Sequence, residues 1–439
     1  MTYRQIFFAG VLVSLAAGLG EHALAQPALP LRGTIEVEGA AAPPASKLAD
    51  TSLEISPLDQ VDELPERRAK AIGDPYAPAG LGNDALKLYP SITVGTVYSS
   101  NAGQSPNNRR GDTGLRLKPD LQLKSDWSRH ALIAGLEGNM VRYAGHSDFD
   151  TATLDLFERL RLDVRRHTTA DINSSYALDE QGGTDATEHS LSGSLAVTQN
   201  FGPMSARIAA GSNVRLFEDV KLGNGAVEDN SDRDYVEPTL ALRTIYNEYG
   251  VIKPYVEASY APRIHTRATD RNGISRDSTG YGITAGVQLE TGPIWAGDLG
   301  LTYLHRNYDA VSLGSAEAFG LTGGLTWSPT ELATIVMAAG TSLEEATEAG
   351  TPANANWRAS VDMTYALRDN IDLSAGAAVE IEDTGTAFDK TYDGKLGVEW
   401  KFNPVLSWSA GYDLTWLDSG TAANGYVEHR VSTGLTISR

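Results

Sequence analysis

The sequence predicts an all-β protein, a transmembrane antiparallel up-and-down β-barrel of about eighteen strands preceded by a disordered N-terminal arm. Three observations carry this. Apolar and polar residues alternate with a period of two from about residue 90 to the end. The connections between these runs alternate between short and long. A leader at the start sends the chain out of the cytoplasm.

Residues 392–417 show the period most plainly: YDGKLGVEWKFNPVLSWSAGYDLTWL. Tyr392, Leu396, Val398, Trp400 and Phe402 share one parity, and Asp393, Lys395, Glu399 and Lys401 share the other. After Asn403-Pro404 the pattern restarts, with Leu406, Trp408, Tyr412, Leu414 and Trp416 against Ser407, Ser409, Asp413 and Thr415. Successive strand side chains point to opposite faces, so two such runs across a short turn predict a hairpin. About eighteen runs follow this rule, starting near residues 91, 113, 131, 152, 169, 188, 203, 234, 251, 277, 293, 316, 331, 355, 371, 389, 405 and 426. The second sets Leu115, Leu117, Leu121 and Leu123 against Arg116, Lys118, Asp120, Gln122 and Lys124. The tenth sets Tyr281, Ile283, Val287 and Leu289 against Gly282, Thr284, Gln288 and Glu290. No helical period interrupts them.

Short connections, such as 200–203, 291–294, 368–370 and 403–405, alternate with long polar ones at 100–112, 218–234, 265–277, 343–356 and 418–425. Outer-membrane barrels have short turns on the periplasmic side and long loops outside. An even strand number puts both ends of the barrel on the periplasmic side.

Arg4, the apolar run 6–20 and Ala23-Leu24-Ala25 form a signal peptide, residues 1–25, cleaved after Ala25. Residues 26–88, with Pro27, Pro30, Pro43, Pro44, Pro57 and Pro65 amid small residues, lack alternation. Such a segment buries too little apolar surface to offset chain entropy, so a disordered Pro/Ala-rich periplasmic arm is expected. Its functional alternative is a plug or a docking segment. The barrel follows as residues 89–439. The absence of cysteine excludes a thiol nucleophile, a thiolate metal site and a lipoprotein leader. The net charge of -20 repels phosphates and argues against nucleic-acid binding. A mean hydropathy of -0.25 does not argue against a membrane, because barrel strands hide their apolar residues by alternation.

The apolar parity is expected to face lipid and the polar parity a hydrated lumen, since charges of both signs are prohibitive in a dry interior. The lumen-lining candidates are Arg116, Lys118, Asp120, Arg159, Arg161, Arg207, Arg215, Glu257, Asp362, Glu380, Glu399 and Asp413. Basic residues lean toward the first half and acidic ones toward the last third. Trp295, Trp327, Trp400 and Trp408 lie beside short turns, and Trp357 and Trp416 beside long loops, as two aromatic girdles require. At about 3.4 Å per residue and a tilt of about 40°, Trp408 and Trp416 are roughly 21 Å apart along the membrane normal, close to the ~25 Å apolar band. A soluble sandwich is the alternative, but it leaves edge strands to protect. Glu158 breaks the pattern by falling on the apolar parity of TLDLFERLRLDV, which suggests a bulge or a partner contact.

Several stretches resemble the β-barrel porin 2 family of Gram-negative bacteria. They are DPYAPAGL (74–81) leading into LYPSITVGTVYSSN (88–101), DYVEPTLALRTIYNEYGVIKPYVEASYAPR (234–263), TWSPTELATIVM (326–337) and LRDNIDLSAGAAVE (367–380). The likeness covers most of 74–439 and implies an outer-membrane β-barrel. For some members it also implies a porin that passes polysaccharide outward beside periplasmic export proteins. The family motifs name strands and turns, so no site residue is carried over. Most outer-membrane barrels end in Phe or Trp, which the insertion machinery reads; this chain ends VSTGLTISR, with Val431, Leu435 and Ile437 keeping the alternation.

His146, His167, His189, His265, His305 and His429 form no ligand motif, and no GxSxG, Walker loop or GxGxxG stands in a strand–helix setting. The acidic loop with Glu218, Asp219, Glu228, Asp229, Asp232 and Asp234 lacks EF-hand spacing and reads as a solvated loop, with Ca²⁺ bridging to lipopolysaccharide as its alternative. No catalytic residue, cofactor or metal is expected. The reading is a non-enzymatic porin-like channel for passive passage of hydrophilic solutes, exopolysaccharide export included. Its expected partners are outer-membrane lipid and lipopolysaccharide, the barrel-insertion machinery and a periplasmic polysaccharide-export protein. The alternatives are an occluded structural barrel that anchors envelope partners and, last, an outer-membrane hydrolase.

Overall fold

The computed structural model describes residues 75–180, 187–221, 227–292, 294–346, 352–385, 387–420 and 425–439. The expected signal peptide and most of the expected arm lie outside the described residues. Eighteen long strands follow in chain order. They are β1 (Leu86–Ser99), β2 (Asp112–Ser125), β3 (His130–Tyr143), β4 (Thr151–Arg165), β5 (Thr168–Glu180) and β6 (Glu188–Asn200). Next come β7 (Met204–Phe217), β8 (Tyr235–Tyr246), β9 (Ile252–His265), β10 (Ser278–Glu290), β11 (Trp295–Tyr308) and β12 (Ser315–Thr330). The last six are β13 (Ala333–Glu345), β14 (Ala353–Arg368), β15 (Ile371–Asp383), β16 (Phe388–Asn403), β17 (Leu406–Asp418) and β18 (Tyr426–Ser438).

Each strand pairs antiparallel with its sequence neighbours, and β1 pairs with β18 from Ser91 opposite Ser438 to Ser99 opposite Arg430. The sheet therefore closes into a barrel, which removes the two edges an open sheet would expose. The observed strand starts lie within two residues of those read from alternation, except the first. There the strand begins at Leu86, because Leu86–Pro90 pairs with β2 before β18 comes alongside. Leu81–Asn83 folds back onto Leu86–Leu88 and covers that one-sided stretch. Pro90 stands just beyond the β18 pairing, where its missing N–H costs no ladder bond, and its carbonyl accepts from the Arg439 amide at 3.0 Å.

Exposure decides which way the faces point. Leu115 is 67 % exposed and Leu396 57 %, whereas Arg243 is 6 % and Arg263 1 %. An apolar outer shell around a charged interior is the reverse of a soluble fold and is the lipid-facing band of a membrane barrel. Stacked aromatic pairs mark its two borders: Trp295 on Trp327 with ring centres 5.3 Å apart, and Tyr392 on Trp416 at 5.1 Å.

The wall departs from a smooth cylinder at β11 and β12. Gly297 and Gly323 both have φ near +130°, at +127° and +131°. A Cβ on either would run into the backbone of the other strand, so only glycine fits this bend. The register of β4 stays unbroken through Glu158, which lies opposite Ala134 on β3 and Ser174 on β5. The expected bulge is therefore absent there.

Candidate functional site: the barrel interior

All twelve lumen-lining candidates fall on the parity opposite the exposed apolar residues. Arg161 and Arg207 both donate to Asp171, at 2.9 and 2.6 Å. Arg116 donates to Asn139 at 2.8 Å, and Arg215 pairs with Glu188 at 2.9 Å. Glu257 accepts from Arg243 at 2.7 Å, Glu380 from Arg358 at 2.9 Å, and Asp362 pairs with Lys395. Lys118, Asp120, Arg159 and Glu399 are half-buried on the same inner face, and Asp413 is buried there.

Across β8 to β11 the inner wall is covered by side chains lying flat along it. Arg306 on β11 reaches Glu237 on β8 at 2.7 Å, three strands away. Arg243 on β8 reaches Asp298 on β11 at 3.2 Å, with its guanidinium 4.2 Å from the Tyr255 ring centre. Glycine makes both crossings possible. A Cβ on Gly280 would lie 3.0 Å from the Arg306 guanidinium, and one on Gly286 or Gly300 would lie 2.6 or 2.7 Å from the Tyr255 ring and hydroxyl. The inward glycines of β10 are the sequence signal for this layer, and alternation alone passes over them.

Sequence reasoning also missed a folded-in hairpin. Pairing between β12 and β13 runs from Thr330 opposite Ala333 to Gly323 opposite Ala339 and stops. Pairing between β13 and β14 continues to Glu345 opposite Ala353. Above Gly323, then, β13 leaves the wall. Thr341 donates its hydroxyl to the Leu321 carbonyl at 2.8 Å, and Trp357 its indole N–H to the Phe319 carbonyl at 2.9 Å, in place of ladder bonds. Leu343 and Ala355 pack against Ala316 and Ala318 of the inner face of β12 and against Leu304 of β11. At the end of β13, Glu345 accepts from Arg263 of β9 at 2.8 Å and from Arg276 at 3.0 Å. β9 and β13 are four strands apart, roughly 19 Å along the wall at about 4.8 Å per strand. A single ion pair cannot cover that arc unless the end of β13 swings inward. The upper hairpin of β13 and β14 therefore projects into the lumen. Trp357, expected in the outer girdle, is instead the anchor of this infold.

Beside the infold the inner face is acidic. Asn356 donates to Glu344 at 2.9 Å and to Glu380 at 2.8 Å, and Asn354 donates to Glu382 at 2.8 Å. Thr415 donates to Asp393 at 2.9 Å.

Two long loops clasp each other at the rim that carries the long connections. Arg271 donates to Asp232 at 3.0 Å, and Arg267 to Asp229 at 2.6 Å. Hydrogen bonds from the Ser231 hydroxyl and amide, then from Arg267, hold the Asp229 carboxyl down to about 2. Burial pushes Asp270 up, but the Ile274 amide, Arg276 and the Asn272 amide outweigh it and leave its pKa below the ordinary carboxylate value. The acidic loop is thus an internal fastening: Asp219 accepts from the Asn230 amide and Asp234 from the Phe217 amide. Among the described residues no three of His, Asp and Glu converge as a metal site.

A closed eighteen-strand barrel, apolar outside and charged within, is an outer-membrane β-barrel of porin type. The family model described as "Putative beta-barrel porin 2" matches residues 74–439, and the chain belongs to that family. No curated protein matches the sequence. Among solved structures the chain is similar to OccK8 (OprE) of Pseudomonas aeruginosa, at 10% identity and TM-score 0.40, covering 81% of this chain and 98% of that one. It is also similar to OpdK of the same organism, crystallised with vanillate, at 8% identity and TM-score 0.39, covering 80% and 99%. The siderophore receptor PirA of P. aeruginosa follows at 10% identity and TM-score 0.38, covering 82% and 81%.

Proposed function

We propose that the protein is a passive channel for hydrophilic solutes across the outer membrane. One observation carries this reading: a large closed barrel with arginine, lysine, aspartate and glutamate on its inner face. Barrels of 16 to 18 strands enclose an aqueous channel unless filled, and charged walls of both signs are stable only when wet. Solutes would pass without covalent chemistry, sorted by lumen width and wall charge. No enzymatic role is proposed. Exopolysaccharide export is the special case that the family resemblance implies. Conductance of the purified protein in a planar bilayer, with sugars of graded size added, tests the channel. Steady ion current reduced by small sugars and restored with larger ones supports it.

A second reading, an occluded barrel that anchors envelope partners, is favoured by the infolded hairpin and by the ion pairs that fasten it to β9. Absence of conductance both in the full mature chain and after deletion of residues 27–74 would select it.

A further inference from the structure

Phe157 breaks the alternation on the inner side of the wall. It stands on the inward parity of β4, between Asp155 and Arg159, where a wetted surface calls for a polar side chain. Gly135 lies opposite it on β3, and a Cβ there would come within 2.4 Å of the ring. The missing side chain at 135 is what lets the ring lie against the wall. That contact occupies one side of the ring; Phe157 is only half-buried, so the rest of it meets the lumen. The Arg159 guanidinium stands 6.0 Å from the ring centre, at the outer limit of a cation–π contact. Ile133 stands diagonally to the ring, opposite Arg159, and widens the apolar patch.

On the other flank the wall is low and hydroxylated. Ser175 on β5 is exposed, lies opposite Phe157 in register and shares a 2.6 Å hydrogen bond with Ser192 on β6. Asn173 donates to Ser194 at 3.4 Å, and Gly211 on β7 follows opposite Ser194. These side chains are short, unlike the arginine and tyrosine layer over β8 to β11. Their position in the barrel matters as well. In a closed ring of eighteen strands β4 lies diametrically opposite β13, and β5 opposite β14. The infolded hairpin therefore projects toward the wall that carries Phe157 and Ser175. Phe157 is seventh of fifteen residues in β4, and the infold begins beyond Ala339, seventh of thirteen in β13. A solute that passes the infold is thus directed along this wall.

We propose that Phe157 and the serines beside it form a carbohydrate subsite in the lumen. The ring takes the apolar C–H face of a sugar, and Ser175 and Ser192 meet its hydroxyl edge. Each serine hydroxyl has one proton and two lone pairs, so the bond between the two leaves a proton and lone pairs for a solute. A flat apolar face with a hydroxylated rim is what this pairing recognises, and the donors and acceptors that line a pore set what it passes. The inference rests on the channel reading and names a class of solute for it.

The test is single-channel recording of the full mature chain in a planar bilayer, with maltohexaose on one side, against polyethylene glycol of the same hydrodynamic size. Discrete interruptions by the sugar are expected, with residence roughly tenfold longer than the polymer's, the upper end of what one aromatic contact contributes. Phe157→Ala should remove that difference and leave the open-channel current close to wild type. Phe157→Leu, which keeps an apolar side chain over Gly135 but no flat ring, should remove it too and serves should the alanine variant not fold. Phe157→Tyr, which keeps the ring, should retain it. The comparison of sugar with polymer on the wild-type channel needs no variant. Sugar and polymer acting alike on wild type, or a Phe157→Leu channel that keeps the sugar's longer residence, overturns this inference and leaves the channel reading standing. Absence of any conductance overturns both.

Discussion

Replacing Leu343 with alanine tests whether the hairpin is seated inside the barrel. By strand parity Leu343 belongs with the lipid-facing residues, yet it is 6 % exposed and packs on Ala316, Ala318 and Ala355. Buried Leu→Ala changes cost 2–5 kcal/mol; with alanine neighbours and a lumen alongside, the lower end applies, about 2 kcal/mol. That loss falls on the seated state alone, because the unseated side chain has no such contacts. At about 1.4 kcal/mol per tenfold, the ratio of unseated to seated hairpin rises about 30-fold. Single-channel recordings should then show larger and noisier currents than wild type, with unchanged membrane insertion. Leu321→Ala is the control, since Leu321 is 46 % exposed on the outer face of β12. The seating argument fails if Leu343→Ala and Leu321→Ala give the same currents as wild type while both fold.

Three further outcomes follow from the same geometry. Glu237 is 1 % exposed and accepts from both Arg263 and Arg306, so Glu237→Gln leaves buried guanidinium charge and should lower stability by about 3–5 kcal/mol, read as a lower temperature of heat modification. Glu158 lies eighth of fifteen residues in β4 on the lipid-facing parity, so Glu158→Leu should stabilise the barrel in urea titrations from lipid vesicles by about 1–2 kcal/mol; a loss of stability, or of a self-associated form, would mean that Glu158 meets protein instead. The Asp229 carboxyl is held at about 2, so its contribution to the loop clasp is complete above the unfolded carboxylate value and lost only as pH falls through about 2. Amide exchange in residues 227–234, corrected for intrinsic rates, should therefore be flat between about pH 8 and 5, above the ordinary carboxylate range; loosening by pH 5 would contradict the pairing.

Strand number, order and the two faces were legible because each rests on a local signal. Period two needs only neighbouring residues, and consecutive hairpins leave little choice of partner once short turns separate the runs. The inward position of Arg207, Glu257 or Asp413 follows from parity alone. Which charges meet does not. Arg306 finds Glu237 across three strands, and that crossing depends on how glycines on β10 clear the surface between them. Trp357 shows the same limit: its place beside a long loop reads as a girdle residue, and only the missing β12–β13 pairing turns its indole to the Phe319 carbonyl.

The infold nevertheless leaves a trace in the chain, visible once its geometry is known. A wetted inner wall should carry polar residues on every inward position, yet β12 places Ala316, Ala318 and Gly320 there. A Cβ at Gly320 would lie 2.8 Å from the Trp357 ring, so small residues at these positions admit a second layer rather than water. On β13 the polar parity still faces the lumen at Glu344, but the apolar parity is hidden at Leu343 against β12 instead of meeting lipid. A strand whose inner face turns small, beside a strand that hides an apolar residue of its outer parity, marks a place where the wall doubles. That doubling carries the carboxylates of the hairpin away from the wall and into the path of anything that passes. Narrowing thus comes from one structural event, and a change that unseats Leu343 should widen the channel.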